Sequence, residues 1–295
     1  MNSSDTAALH AARRRGQVPG VNLTMLRPRR GTFPNGMAYA RLGDGPKTLL
    51  WLSGATRGPM LVMMTQVARP FASAGYTVWL VSTRPNMPVG RTLDDMAADY
   101  AGLIDEQFGG RVDLVIGHST GGLIGFCLAA GHPGSFAHTV IAGAGLWNER
   151  SDQANLEFSR LLVAGRTRAA GERAVRLLAP ETRVPGLAPL LGVLGAWGSL
   201  ATASAQDLLA AAEAMHRFDP QDVLPRIGVP VLLVVGDNDM YLDKGEAEQA
   251  AHLIPSCTLR IYPHTNHFGA ITSPKFAPDA LEFIRQHQPA PPADS

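Results

Sequence analysis

Cysteine is nearly missing from this chain. Cys127 and Cys257 are the two present, and two isolated thiols make neither a disulfide framework nor a zinc site. That usage fits a reducing compartment, so a cytoplasmic location is the expectation. Charge is sparse as well: 17% of residues are charged and the formal net charge is +1. So weak a global field excludes a general affinity for nucleic acid or anionic membranes. Short basic clusters at Arg13-Arg14-Arg15 and at Arg27, Arg29 and Arg30 read as a solvated arm and a strand edge. No long apolar run follows the first charges of Met1 to Gly20, so no secretory signal is expected and residues 1–20 read as a frayed arm. One uncharged stretch, Val184 to Gln206, is long enough to cross a bilayer. Pro185, Pro189 and the glycines at 186, 192, 195 and 198 break it up, so it reads as a lid or buried helical segment rather than a membrane span.

What the chain does have is apolar residues, 45% of its 295 positions, enough to bury a sizeable core. Short apolar runs alternate with helical patterns, which predicts an α/β fold around a mostly parallel central sheet flanked by helices. Strands are expected at Thr48–Leu52, Tyr76–Val81, Val112–Ile116, Thr139–Ala142, Pro230–Val235 and Thr258–Tyr262. Helices are expected at Met60–Ala74, Leu93–Phe108, Leu123–Ala130, Gly245–Leu253 and Ala277–Gln286, with Thr92 capping the second and Gly109-Gly110 stopping it. Residues 21 to 41 have weak periodicity and are left as loosely defined edge strands. The alternation breaks from about Trp147 to Phe218, where Ala- and Leu-rich helical patterns take over. The expected layout is therefore a core of residues 21–146 and 219–288, a helical cap inserted at 147–218, and an unstructured tail at 289–295.

The segment with chemistry in it is Gly117-His118-Ser119-Thr120-Gly121. A G-x-S-x-G pattern alone matches many chains by chance. Here an apolar strand leads into it and a helix leads out, the context that holds a serine on a tight turn at the sheet's carboxyl edge. The small flanking residues let the backbone turn without clashes. Serine is a poor nucleophile without an adjacent base. Asp239 stands on the loop after the next-to-last strand and His267 on the loop after the last strand, so both face the same crevice as Ser119. Asp237 is the rival acid and reads better as a residue bonding its own turn. His264 is the rival base; His267 sits further along the loop and reaches back over the sheet. His118 reads as structural, pointing elsewhere on the turn.

These motifs resemble those of the α/β-hydrolase superfamily, over roughly Leu49 to Gln286. Gly117-His118-Ser119-Thr120-Gly121-Gly122 looks like its nucleophile elbow. Gly236-Asp237-Asn238-Asp239 looks like its acid loop, and Asn266-His267-Phe268 is similar to the sequence around its histidine. The resemblance implies a Ser119–His267–Asp239 triad, with the backbone amides of Ala55 and Thr120 forming the oxyanion hole and with no metal or organic cofactor. It implies a serine hydrolase acting on a small-molecule ester, a carboxylesterase or lactonase first, with thioesterase, carbon–carbon bond hydrolase, perhydrolase and non-catalytic binding protein as alternatives. Two departures stand out. Ser53-Gly54 replaces the common His-Gly, and Ser82-Thr83-Arg84-Pro85-Asn86 replaces the Asp-x-x-Gly-x-Gly-x-Ser turn, so substrate preference does not transfer from the commonest members. In the expected cap, Leu187, Leu190, Leu191, Val193, Leu194, Trp197 and Leu200 are the candidate apolar surface, most of them packing the cap onto the body.

Overall fold

A computed structural model describes residues 27–54, 59–146, 149–178 and 203–287. The expected arm and tail, Ala55, and the apolar residues from Leu187 to Leu200 lie outside those ranges. The strands are β1 (Arg29–Thr32), β2 (Ala38–Leu42), β3 (Lys47–Leu52), β4 (Tyr76–Val81), β5 (Val112–His118), β6 (Phe136–Ala142), β7 (Val231–Gly236) and β8 (Cys257–Tyr262). They form one 8-stranded sheet in the order β1-β2-β4-β3-β5-β6-β7-β8. The pairs β1–β2 and β2–β4 are antiparallel; every other neighbouring pair is parallel. The longer helices are α1 (Pro59–Ser73), α2 (Leu93–Phe108), α3 (Thr120–Gly131), α4 (Glu149–Val163), α5 (Thr167–Leu178), α6 (Ala205–His216), α7 (Lys244–Leu253) and α8 (Phe276–Gln286).

The central strands are buried on both faces, which is why they read as continuous apolar runs. Alternate residues of each strand feed two separate cores. Leu50, Leu52, Val115, Ile141, Leu233 and Val235 pack with α2, α3 and α7 on one face. Leu49, Trp51, Leu114, Ile116, Val140 and Leu232 pack with Phe71 of α1 and Phe276 and Phe283 of α8 on the other. Helix α2 begins where Thr92 accepts from the Asp95 N–H and Asp95 returns the bond, a reciprocal cap, and ends at Gly109 with φ 67°.

Helices α4, α5 and α6 all fall between β6 and β7 in sequence. Helix α6 is tied to the body by Asp207, a fully buried residue whose carboxylate accepts the Met87 N–H at 2.8 Å. A carboxylate held by a main-chain N–H is a strong anchor in a low-dielectric setting. It fixes α6 above the carboxyl edge of the sheet. Among the described residues, no helix is long and apolar enough to cross a membrane.

Candidate active site

Strand β5 ends at His118, and Ser119 occupies the sharp turn into α3. Its backbone sits at φ 57°, ψ −125°, a region that a residue with a side chain occupies only under strain. The turn is held tightly. The Ser119 N–H donates to the Ala142 carbonyl at 3.0 Å, and the Ser119 carbonyl receives the N–H groups of Gly122 and Leu123. Glycine is required around it: a Cβ on Gly121 would stand 2.0 Å from the Leu52 carbonyl oxygen, and one on Gly117 would stand 2.3 Å from that of Gly121. This close approach of helix and strands lifts the Ser119 side chain into a cavity. The Thr120 N–H opens α3, where no intrahelical acceptor exists. Gly54, at φ +57°, lies directly against Thr120, with 3.4 Å between its Cβ position and the Thr120 Cβ. Ala55, the other expected oxyanion donor, lies outside the described residues.

Asp239 and His267 meet across the ends of β7 and β8. The His267 Nδ1 is 2.8 Å from one Asp239 carboxylate oxygen and 3.0 Å from the other. Both side chains are buried, His267 at 3% and Asp239 at 0% exposure. The carboxylate is itself held by the Tyr241 N–H at 2.9 Å. Asp237 does something different. It accepts the Thr265 N–H at 3.1 Å, and main-chain bonds from His264 and Thr265 hold its carboxyl below the usual range. His264 is exposed on a left-handed backbone, φ 55°. The acid rival therefore braces the histidine loop, and the base rival faces away into solvent.

His267 is packed on several sides. Tyr241 meets it edge-on with 4.7 Å between ring centroids, and His118 lies 4.7 Å away on another side. Burial and the neighbouring Asp239 carboxylate push the Tyr241 hydroxyl up to about 12, so it stays a neutral phenol. Gly143, at φ +56°, forms a third wall: a Cβ there would lie 3.0 Å from His267 Cε1 and 3.3 Å from His118 Nε2. Since Ala142 beside it receives the Ser119 N–H, the end of β6 links the serine turn to the imidazole. Among the described residues, the Ser119 hydroxyl makes no hydrogen bond to the ring; such bonds commonly tighten only when substrate is bound.

A cavity of about 310 Å³ opens over Ser119. Its described lining is mostly apolar, including Met64, Phe158, Leu208, Met215 and Phe268, and α4 adds Asn155 and Ser159. Several of these residues come from α4 and α6, helices whose pattern reveals amphipathicity but not what they face. His118 also lines the cavity, so its side chain does not point elsewhere on the turn, contrary to expectation. An imidazole held by a carboxylate on one nitrogen leaves the other free to take a proton. Neither cysteine rivals Ser119, because burial pushes the Cys257 thiol up to about 12 and raises Cys127 too. Among the described residues, no group of three or more His, Cys, Asp or Glu side chains is placed to hold a metal ion.

The chain has similarities to known proteins. A protein named for carbamate hydrolysis, RutD of Pseudomonas syringae pv. syringae (strain B728a), is 26% identical over 69% of this chain and 78% of its own length. A hydrolase from Pseudomonas aeruginosa superposes with a TM-score of 0.67 at 22% identity, over 88% of this chain and 98% of that one. The enol-lactonase from Burkholderia xenovorans LB400 superposes with a TM-score of 0.65 at 17% identity, over 87% and 100% respectively, a likeness of fold alone. The sequence pattern of the alpha/beta hydrolase family matches residues 49–278. The chain belongs to the alpha/beta hydrolase family.

Proposed function

We propose that this protein is a serine hydrolase that cleaves small to medium apolar esters by acyl transfer through Ser119, His267 and Asp239. One observation carries the reading: a buried imidazole–carboxylate pair packs against His118, the residue just before a serine that is held on a strained turn and lines a mostly apolar cavity. In the proposed cycle, His267 takes the Ser119 proton as the hydroxyl attacks the substrate carbonyl. Asp239 holds the ring through Nδ1 and stabilises the imidazolium that forms. The backbone amides of Thr120 and Ala55 receive the oxyanion; one such donor is typically worth about 10²–10³ in turnover. The imidazolium then returns its proton to the departing alkoxide. Water then attacks the acyl-serine: His267 takes a proton from it and passes that proton to the Ser119 oxygen as the acyl–serine bond breaks, releasing the acid.

Residues 147–218 act as a cap in this reading. Phe158, Leu208 and Met215 supply an apolar wall, and Asn155 and Ser159 are the polar points on it. A cavity near 310 Å³ is at the small end of the range for drug-sized ligands. Turnover of p-nitrophenyl esters is therefore expected to rise from acetate to a maximum at medium chain length and then fall. A profile that peaks at acetate and drops steeply would remove the apolar-pocket assignment.

Carbamate cleavage is the second reading, favoured by the likeness to RutD. It uses the same nucleophile and differs in the group expelled or retained. Matched phenyl esters and phenyl carbamates separate the two by their kcat/KM ratio.

Gly143 is expected to be intolerant of any side chain. Gly143→Ala puts a methyl 3.0 Å from His267 Cε1 on a left-handed backbone. The expected cost is about 1–3 kcal/mol in stability and, through displacement of the base, on the order of 10²-fold in turnover. Thermal unfolding beside ester kinetics checks both. Unchanged values for both would mean that the wall against the imidazole is slack.

A further inference from the structure

We propose that His118 is a positioning residue for the catalytic base, holding the loop of His267 in place through a hydrogen bond to that residue's own main chain. The inference rests on His267 being the base, as proposed above. The His118 Nε2 lies 3.1 Å from the His267 carbonyl oxygen. Among the described residues, no backbone N–H donates to that oxygen, although the loop around it is otherwise well bonded. Asn238 donates to the Thr265 carbonyl, Gly269 donates to the Asn266 side chain at 2.8 Å, and Ile271 and Thr272 both donate to the Phe268 carbonyl. The ring of His118 is thus the donor that fixes the loop at the residue where the chemistry occurs.

The ring also matters as a surface. It is tilted 43° to the His267 imidazole, and it lies 5.6 Å from Phe268 between centroids. With Gly143 closing the space against both imidazoles, the swing of His267 is limited from that side. A carbonyl can only accept, so Nε2 must carry the proton in this bond. Burial, with His267 close by, lowers the His118 pKa to about 3, which keeps the ring a neutral donor. A charged ring there would oppose the imidazolium that forms on His267. The position preceding the nucleophile thus has its own task, served by a donor at the reach of Nε2.

Three substitutions separate donor from ring. His118→Phe keeps a ring and deletes the donor; His118→Gln keeps an N–H donor at similar reach and deletes the ring; His118→Ala deletes both. Each is assayed for ester kcat and KM, for the rate of fluorophosphonate labelling, and for thermal unfolding. The expected result is a fall in kcat and labelling rate of about 10- to 100-fold for His118→Phe, with KM within about twofold. His118→Gln is expected to recover to within about fivefold of wild type. Should His118→Phe not fold, His118→Ala serves as the donor-less case against His118→Gln. Donor-less variants at wild-type rates would overturn the proposal. So would a Gln variant that falls as far as the donor-less ones. Failure of the triad reading looks different, because folded wild-type protein would then not label at all.

Discussion

Ser119→Ala is expected to lower ester turnover by about 10⁶-fold, because a serine, its base and its orienting acid act as a unit. The variant should fold normally. Its backbone remains at φ 57°, and alanine is no worse placed there than serine. The bonds that hold the turn are main-chain bonds, from the Ser119 N–H to Ala142 and to the Ser119 carbonyl from Gly122 and Leu123. What disappears is the hydroxyl in the cavity. A residual rate of about 10³–10⁴ over water is expected from the oxyanion amides and substrate binding. Single-turnover kinetics on wild type and variant, matched for melting temperature, measure the loss. A variant within tenfold of wild type would assign the chemistry to another group.

Asp239→Asn should have the second largest effect, about 10⁴-fold at neutral pH. The substitution is nearly isosteric, so the buried site keeps its shape. The charge that stabilises the imidazolium is lost. Both Asp239 oxygens now lie within 3.0 Å of His267 Nδ1, and one also accepts from the Tyr241 N–H at 2.9 Å. The Tyr241 N–H is a donor and keeps the amide oxygen on its side, so the NH₂ takes the place of the other carboxylate oxygen, 2.8 Å from Nδ1. Turning its NH₂ toward the ring would fix the wrong tautomer, leaving Nδ1 as acceptor and placing the proton on the nitrogen meant to receive one from Ser119. Stopped assays at neutral pH beside near-ultraviolet circular dichroism separate chemistry from folding. Activity within tenfold of wild type in a folded variant would mean that Asp239 orients nothing that turnover needs.

Much of the fold was readable because its central strands are buried on both faces. Tyr76–Val81 reads as a strand to the residue, since six consecutive positions favour that state and Gly75 ends the helix before it. Leu93–Phe108 reads equally well, because Thr92, Asp95 and Gly109 are local capping signals that need no tertiary partner. The edge was harder. Strand β1 is almost wholly exposed, so no apolar period marks it, and only its pairing with β2 defines it. Strands β5 and β6 run past the bounds expected for them, through His118 and from Phe136, since parallel neighbours extend pairing beyond the apolar run.

The site divides along the same line. Ser119, Asp239 and His267 could be singled out because each stands just after a strand, where loops of an open parallel sheet gather. The side chains packed around those three could not. His118 and His267 are joined by a ring nitrogen and a main-chain oxygen across two loops, and no spacing in the chain encodes that. The same holds for Tyr241 against the imidazole and for Phe158 and Met215 in the cavity wall. Helical periodicity shows that α4 and α6 have an apolar side, not that the side looks onto a serine.

The most direct test is intact-mass analysis after exposure to a fluorophosphonate, on wild type beside Ser119→Ala. A single covalent adduct on wild type and none on the variant is the expected result, and peptide mapping should place it on Ser119. An adduct that persists on the variant, or its absence from folded wild-type protein, would contradict an activated serine at this position.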